Sequence, residues 1–266
     1  MNADSAPFAP ASPPERLPGR PDVSIVAPVF DEEGAVDTLA REIAAAFAGW
    51  RHEIIFVDDA SGDGTGARLA ALKAELPALR VLTHRRNAGQ SRAIRTGVLA
   101  ARAPIVVMLD GDGQNDPADA PRLARALQAA PPGLGLIGGE RRVRRDSAAK
   151  RWASSLANGV RRRLLDDRAA DTGCGLKVFR RDAFLALPYF DHLHRYLPAL
   201  MIREGYDVAF EPVNHRPRHS GRSKYTNLQR LGVALFDLAG VLWLNARARD
   251  PGGVDEATLP APSEGA

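Results

Sequence analysis

Apolar and polar positions alternate along the first half of the chain in a repeating cycle. Val23–Phe30 is an apolar run that reads as a short buried strand, followed by the polar loop Asp31-Glu32-Glu33-Gly34 and by Val36, Leu39, Ile43 and Phe47 on one helical face. A second run, Glu53–Val57, ends at Asp58-Asp59. Ser61–Thr65 then makes a tight turn of small residues, and a helix over Ala67–Leu76 is closed by Pro77. The cycle continues with a strand over Leu79–Thr83, a polar loop over Arg85–Gln90 and a helix over Ser91–Ala101 with Ile94 and Val98 on one face. The apolar run Pro104–Leu109 leads into Asp110. Repeated strand, polar turn and helix predict a three-layer α/β domain with a mainly parallel sheet, in which ligands collect beyond the C-terminal ends of the strands.

The second half is less regular. Its pattern predicts helices over Pro117–Ala129, Ser147–Leu165, Arg181–Leu187 and Tyr196–Glu204, and strands over Leu134–Gly139, Leu176–Phe179 and Tyr206–Val213. Leu231–Leu244 is apolar apart from Asp237 and shorter than the roughly 20 residues a straight spanning helix needs. The organisation expected is a flexible tail over 1–21, a globular domain over 22–229, an amphipathic peripheral helix over 230–249 and a second flexible tail over 250–266.

Composition narrows this little. The 266 residues suffice for one substantial core, and a net charge of +4 permits phosphorylated ligands, anionic membranes or nucleic acid. No stacking or base-reading motif accompanies the basic patches, so nucleic acid is not an expected partner. The single cysteine, Cys174, excludes an internal disulfide and fits a structural role, and Met1–Pro21 has no secretory pattern.

The chemistry concentrates in Asp110-Gly111-Asp112. Two carboxylates after an apolar strand supply hard oxygen ligands suited to Mg²⁺ or Mn²⁺ and a diphosphate, with the glycine expected to let a phosphate approach. The alternative is a solvated turn that caps the following helix. Asp59 is a candidate for nucleoside recognition, with Asp58 bracing its turn. Asp31 and Glu33 are candidates for the nucleoside side of the cleft or, alternatively, acidic residues that stabilise a helix start. Arg141, Arg142, Arg144 and Arg145 form one basic group, and Arg216, Arg218, Arg222 and Lys224 another, each able to grip phosphate. Asp171 is either part of a turn or a group that orients an acceptor or a basic residue. His215 and His219 read as phosphate contacts or loop hydrogen bonds.

Taken in order, Ala27–Glu33, Val57–Thr65, Asn87–Gln90, Leu109–Pro117, Asp171–Gly175 and the basic segment ending at Lys224 resemble the family 2, GT-A-type glycosyltransferases. The branch they resemble transfers sugars to dolichyl or undecaprenyl phosphate. The resemblance implies a GT-A-type nucleotide-sugar-binding fold, with Pro28, Asp31 and Asp59 binding the nucleotide of a nucleoside diphosphate sugar. It implies that Asp110 and Asp112 hold the metal and diphosphate, that Gln114 assists them, and that Arg141, Arg145, Ser147, Arg218 and Lys224 receive the lipid phosphate. Asp112, Gln114 and Arg145 are then the expected catalytic residues. The implied reaction is inverting transfer to a polyprenyl phosphate, whose ionised oxygen needs no general base. A cytoplasmic enzyme lying peripherally on the inner face of the plasma membrane, or held there by a membrane-protein partner, is the expected setting. Transfer to a soluble acceptor, or a nonenzymatic nucleotide-sugar-binding subunit, are the alternatives.

Overall fold

The computed structural model describes residues 19–141, 163–165, 167, 169, 171, 173–216 and 227–249, with the backbone alone for 227–231. Seven strands form one sheet: β1 (Val23–Val29), β2 (His52–Asp58), β3 (Leu79–Thr83), β4 (Ile105–Met108), β5 (Leu134–Arg141), β6 (Lys177–Arg180) and β7 (Asp207–Val213). Their order is β3-β2-β1-β4-β6-β5-β7, and β6 alone runs against its neighbours. The mainly parallel sheet expected from the repeating cycle is therefore present, with one reversed strand.

That reversal matters for the site. Val29 pairs with Asp58, and Met108 pairs with Lys177 at the start of β6, so the loop entering β6 reaches the edge where β1, β2 and β4 end. Arg141 and Val213, paired at the ends of β5 and β7, finish there too. Three acidic loops and the Asp171–Lys177 segment thus meet at one edge.

Helices cover both faces because the strands alternate. Ile25, Ile54, Phe56 and Val107 face one core with α1 (Val36–Ala46), α2 (Thr65–Leu72) and α4 (Ala120–Ala129). Val26, Ile55, Val57 and Met108 face a second core with α3 (Gln90–Ala100), α5 (Arg181–Ala186) and α6 (Leu197–Arg203). Helix α2 ends at Leu72, earlier than its pattern predicts, and a 3₁₀ turn capped by the Asp116 side chain precedes α4. The cap is therefore Asp116, which leaves Asp110 and Asp112 to other work. The helix expected over Ser147–Leu165 and both tails lie largely or wholly outside the described residues.

The final helix, α7 (Asn227–Ala246), has two apolar faces. Val241 is buried, and Leu238 and Leu242 pack against the second core. The Tyr196 hydroxyl donates to the Ala234 carbonyl (3.3 Å) and Arg203 Nε to that of Leu244 (3.2 Å). The other face leaves Leu235, Phe236 (81% exposed) and Trp243 (60%) in solvent. Among the described residues no helix is long and apolar enough to cross a membrane.

Phe179 of β6 stacks on Phe184 of α5 with ring centroids 4.9 Å apart, and both are fully buried. Phe179→Ala is expected to destabilise the fold by about 3–5 kcal/mol, the usual cost of an aromatic-sized cavity. Urea unfolding measures it, and a loss under about 1 kcal/mol would show that this layer repacks freely.

Candidate active site

The strand ends enclose a cavity of about 750 Å³. Its acidic side begins at β1, where Asp31 adopts a left-handed backbone (φ 54°). The Asp31 amide donates to Ser61 Oγ (3.0 Å) and its Oδ1 accepts from the Gly62 amide (2.8 Å). Glu33 accepts from the Gly64 amide (3.2 Å) and pairs with Arg68 (3.2 Å). Both residues stitch the first loop to the second, and Glu32 between them borders the cavity. The Glu33 carboxylate, expected on the donor side, is engaged at the start of α2. Pro28 lines the cavity.

Asp58 braces its turn through the Ser61 amide (2.9 Å) and hydroxyl (2.6 Å). Asp59, almost fully buried, gathers the following loop: Oδ1 meets His84 Nδ1 (2.6 Å) and the Ala88 amide (2.9 Å), and Oδ2 accepts from the Gly89 amide (2.8 Å). A carboxylate offers about four acceptor positions, so one stays available toward the cavity that Asp59 lines. By holding Gly89, Asp59 also aims the next residue. Gln90 Nε2 donates to Asp110 Oδ1 (2.9 Å).

Asp110 and Asp112 both border the cavity. Burial, and then the nearby charge of Asp112, push the Asp110 carboxyl up to about 6, against the opposing pull of Lys177, Gln90 and Arg141. Lys177 is itself buried and donates to the Cys174 carbonyl. Gly175 closes the rear of the carboxylate: a Cβ there would fall 2.0 Å from Asp110 Oδ2 and 2.6 Å from Asn115 Oδ1. Gly111 is also constrained by packing. A Cβ on it would lie 2.5 Å from both the Pro28 carbonyl oxygen and Val29, so it lets the β4 exit pack on β1 at the border of the cavity.

Asp112 Oδ1 accepts from the Gln114 amide (3.1 Å), and the Gln114 carbonyl accepts from the Arg216 amide (2.8 Å). Gln114 thus ties the acidic turn to the loop after β7 through its backbone, and Gln90, given no separate role by sequence, touches the dyad through its side-chain amide. Among the described residues no group of three or more His, Cys, Asp or Glu converges on an ion. Two oxygen donors under mutual repulsion fit a hard divalent cation that draws its other ligands from a bound diphosphate.

The basic residues divide differently from expectation. Arg141 Nε and Nη2 form a two-pronged pair with Asp171 (2.6 and 2.8 Å), so the fork assigned to lipid phosphate already holds a carboxylate. Asp171 does orient a basic residue beside Asp110. Arg216 is engaged by Glu42 (2.7 Å) and Asp116 (2.8 Å). Arg145, Ser147, Arg218, Lys224 and His219 lie outside the described residues. Cys174 is buried with its thiol pushed up by burial, and His215 forms a backbone bridge to Asn115. Sequence missed the opposite wall, where His192, His194 and Arg195 line the cavity. A polar turn before a helix was its only signal.

The family model for glycosyl transferase family 2 matches residues 24–187, from β1 through α5 and across all three acidic loops. The chain belongs to that family. This glycosyltransferase is 33% identical over 238 residues to dodecaprenyl-phosphate galacturonate synthase of Rhizobium johnstonii, covering 87% of this chain and 69% of that one. It is 34% identical over 224 residues to undecaprenyl-phosphate 4-deoxy-4-formamido-L-arabinose transferase of Edwardsiella ictaluri, covering 83% and 67%. The transferase thus spans about two thirds of the length of these relatives. Its GT-A fold matches glucosyl-3-phosphoglycerate synthase from Mycobacterium tuberculosis, solved with Mn²⁺, UDP and phosphoglyceric acid. The TM-score is 0.65 at 20% identity, with 88% and 81% of the chains covered.

In the transferase, His194 Nδ1 meets Ser91 Oγ (2.7 Å). Burial, with Arg195, Lys177 and His192 adding positive charge nearby, pushes His194 down to about 3 from 6.5. Between those values the unfolded chain takes up a proton that the folded chain refuses, so stability falls as pH drops through the window, by up to about 1.4 kcal/mol per pH unit. Urea unfolding from pH 7 to 5 should show this decline, and His194→Gln should flatten it. An equal slope in both proteins would contradict the assignment.

Proposed function

We propose that this glycosyltransferase moves a sugar, with inversion, from a nucleoside diphosphate sugar to a polyprenyl phosphate. The observation that carries the reading is a cavity with two carboxylates at the strand ends and an apolar helix at its lip, in a chain whose relatives bear the names of polyprenyl-phosphate sugar transferases. An acceptor phosphate oxygen forms the new bond to the anomeric carbon. The bond from that carbon to the diphosphate breaks, and its electron pair leaves with the nucleoside diphosphate. No proton need move, because the phosphate is already ionised.

Asp110 and Asp112 would hold Mg²⁺ or Mn²⁺, which supplies charge neutralisation to the departing diphosphate. Gln90 fixes Asp110, while Asp59 and Pro28 meet the nucleotide, and Asp31 acts through the loop it holds. Gln114 keeps the Asp112 turn in place. Arg145, Ser147, Arg218 and Lys224 remain candidates for the acceptor phosphate. A hydroxyl acceptor would instead require a general base to take its proton.

The lipid arrives from the side. Val233 of α7 borders the cavity, and Phe236 and Trp243 on the same helix stand ready to enter a bilayer surface. The enzyme is thereby a peripheral protein of the inner face of the plasma membrane. Flotation with anionic liposomes should be strong for the intact chain and lost when Phe236 and Trp243 are both changed to Ser, since each buried side chain of this size contributes about 1.5–3 kcal/mol. Equal flotation would remove α7 as the membrane contact.

The reaction is tested by incubating the enzyme with a panel of nucleotide sugars, a short polyprenyl phosphate and Mg²⁺ or Mn²⁺, and resolving lipid-linked sugar from free nucleotide. Product is expected, and Asp112→Ala should lower its rate by about a hundredfold or more with the thermal midpoint preserved, the scale of losing one charge-stabilising group. Donor binding without any lipid-linked product would overturn the reading.

A further inference from the structure

Glu32, Asp59, Asp110 and Asp112 line the cavity, Asp191 adds a further carboxylate beside His192, and an anionic acceptor needs a cation among them. Arg141 and Arg216 are held by carboxylates. Arg195 borders the same cavity; its amide donates to the His192 carbonyl (3.0 Å), while its guanidinium has neither a hydrogen bond nor a carboxylate partner among the described residues. It ends the short 3₁₀ turn Leu193–Arg195, and that turn is anchored from several sides. Leu193 is buried, His194 is tied to Ser91, and the Tyr196 hydroxyl reaches α7. His192, in a left-handed backbone (φ 63°, ψ 8°), places Nδ1 2.9 Å from Asp237 Oδ2. A non-glycine residue in that region persists only where its surroundings hold it.

Asp237 is the only charged residue in the apolar stretch Leu231–Leu244, and its side chain is largely buried. A carboxylate there is costly without a partner. Its partner is His192 of the cavity wall, and Asp237 itself lies one helical turn beyond Val233, which borders the same cavity. Helix α7 therefore carries both the apolar lip and the anchor of the basic turn.

Building on the proposed transfer to a polyprenyl phosphate, we infer that Arg195 binds the acceptor's phosphate oxyanion and that Asp237 is its positioning residue, acting through His192. The phosphate meets Arg195 while the polyprenyl chain leaves over Val233 along α7. The same guanidinium chemistry would also suit a carboxylate on the donor sugar, so the test separates the two sources.

The full chain is assayed with donor and short polyprenyl phosphate varied independently, for the native protein, Arg195→Ala, Arg195→Lys, Asp237→Asn and the double variant of Arg195→Ala with Asp237→Asn. Direct binding of the same polyprenyl phosphate, read as a thermal-midpoint shift, runs alongside. Arg195→Ala should raise the acceptor KM about tenfold to a hundredfold, the scale of one charge-assisted contact, with donor KM within about twofold. Arg195→Lys should recover part of the loss. Asp237→Asn should shift acceptor KM in the same direction, and the double variant should be no worse than Arg195→Ala alone. An unchanged acceptor KM, or a loss confined to donors carrying a sugar carboxylate, would overturn the assignment of Arg195. Additive effects would overturn the positioning role of Asp237. Should the native protein make no lipid-linked sugar yet be stabilised by polyprenyl phosphate through Arg195, the reaction fails while the site stands; absence of that stabilisation as well overturns both.

Discussion

Burial of the Asp110 carboxyl beside Asp112 is the constraint around which the strand-end edge is built. Removing Asp110 from water raises its carboxyl to about 6, and Asp112 adds to the push. Nearby groups act against it: the Gln90 amide, the buried ammonium of Lys177 and the guanidinium of Arg141, itself held by Asp171. Each of these comes from a different part of the chain. The reversed strand β6 and the loop entering it deliver Lys177 and Gly175, the Asp59 loop delivers Gln90, and β5 delivers Arg141. A dyad that is costly when empty and eased by a cation is suited to a metal and a diphosphate together.

The parallel part of the fold was legible because strand, polar turn and helix recur with clean periodicity from Val23 to Leu109, and each helix needs only one apolar stripe. The direction of β6 was not legible. Lys177–Arg180 is four residues long, and a short apolar run has no polarity of its own. Asp110 and Asp112 were found by motif, and their placement at the cavity agrees with it. Arg141 and Glu33 show the limit of that method: residue type identified groups able to bind a ligand, while Asp171 and Arg68, distant in sequence, decided what they hold. Gly111 is a similar case, since only the packed structure brings Pro28 against it. His192, Arg195 and Asp237 escaped notice because they are ordinary residues in a turn and a helix until the fold sets them around one cavity.

Helix α7 joins the chemistry to the surface. Leu238, Val241 and Leu242 hold it to the domain, Asp237 fastens the basic turn, and Phe236 and Trp243 face outward. The three positive-φ residues other than glycine among those described, Asp31, Ala60 and His192, all lie at or beside the cavity wall. Local strain is tolerated there because hydrogen bonds from neighbouring elements hold the loops in place, which keeps the site preorganised before any substrate arrives.

The central claim is that Asp110 and Asp112 form a site completed by a diphosphate. Titration of Mn²⁺ followed by loss of the free-ion electron paramagnetic resonance signal tests it directly, with and without a nucleoside diphosphate, in the native chain and in Asp110→Asn. The account predicts weak uptake of the ion alone, at least about tenfold tighter uptake when UDP or GDP is present, and loss of that gain in Asp110→Asn. Equal Mn²⁺ uptake by both proteins under all conditions would contradict it.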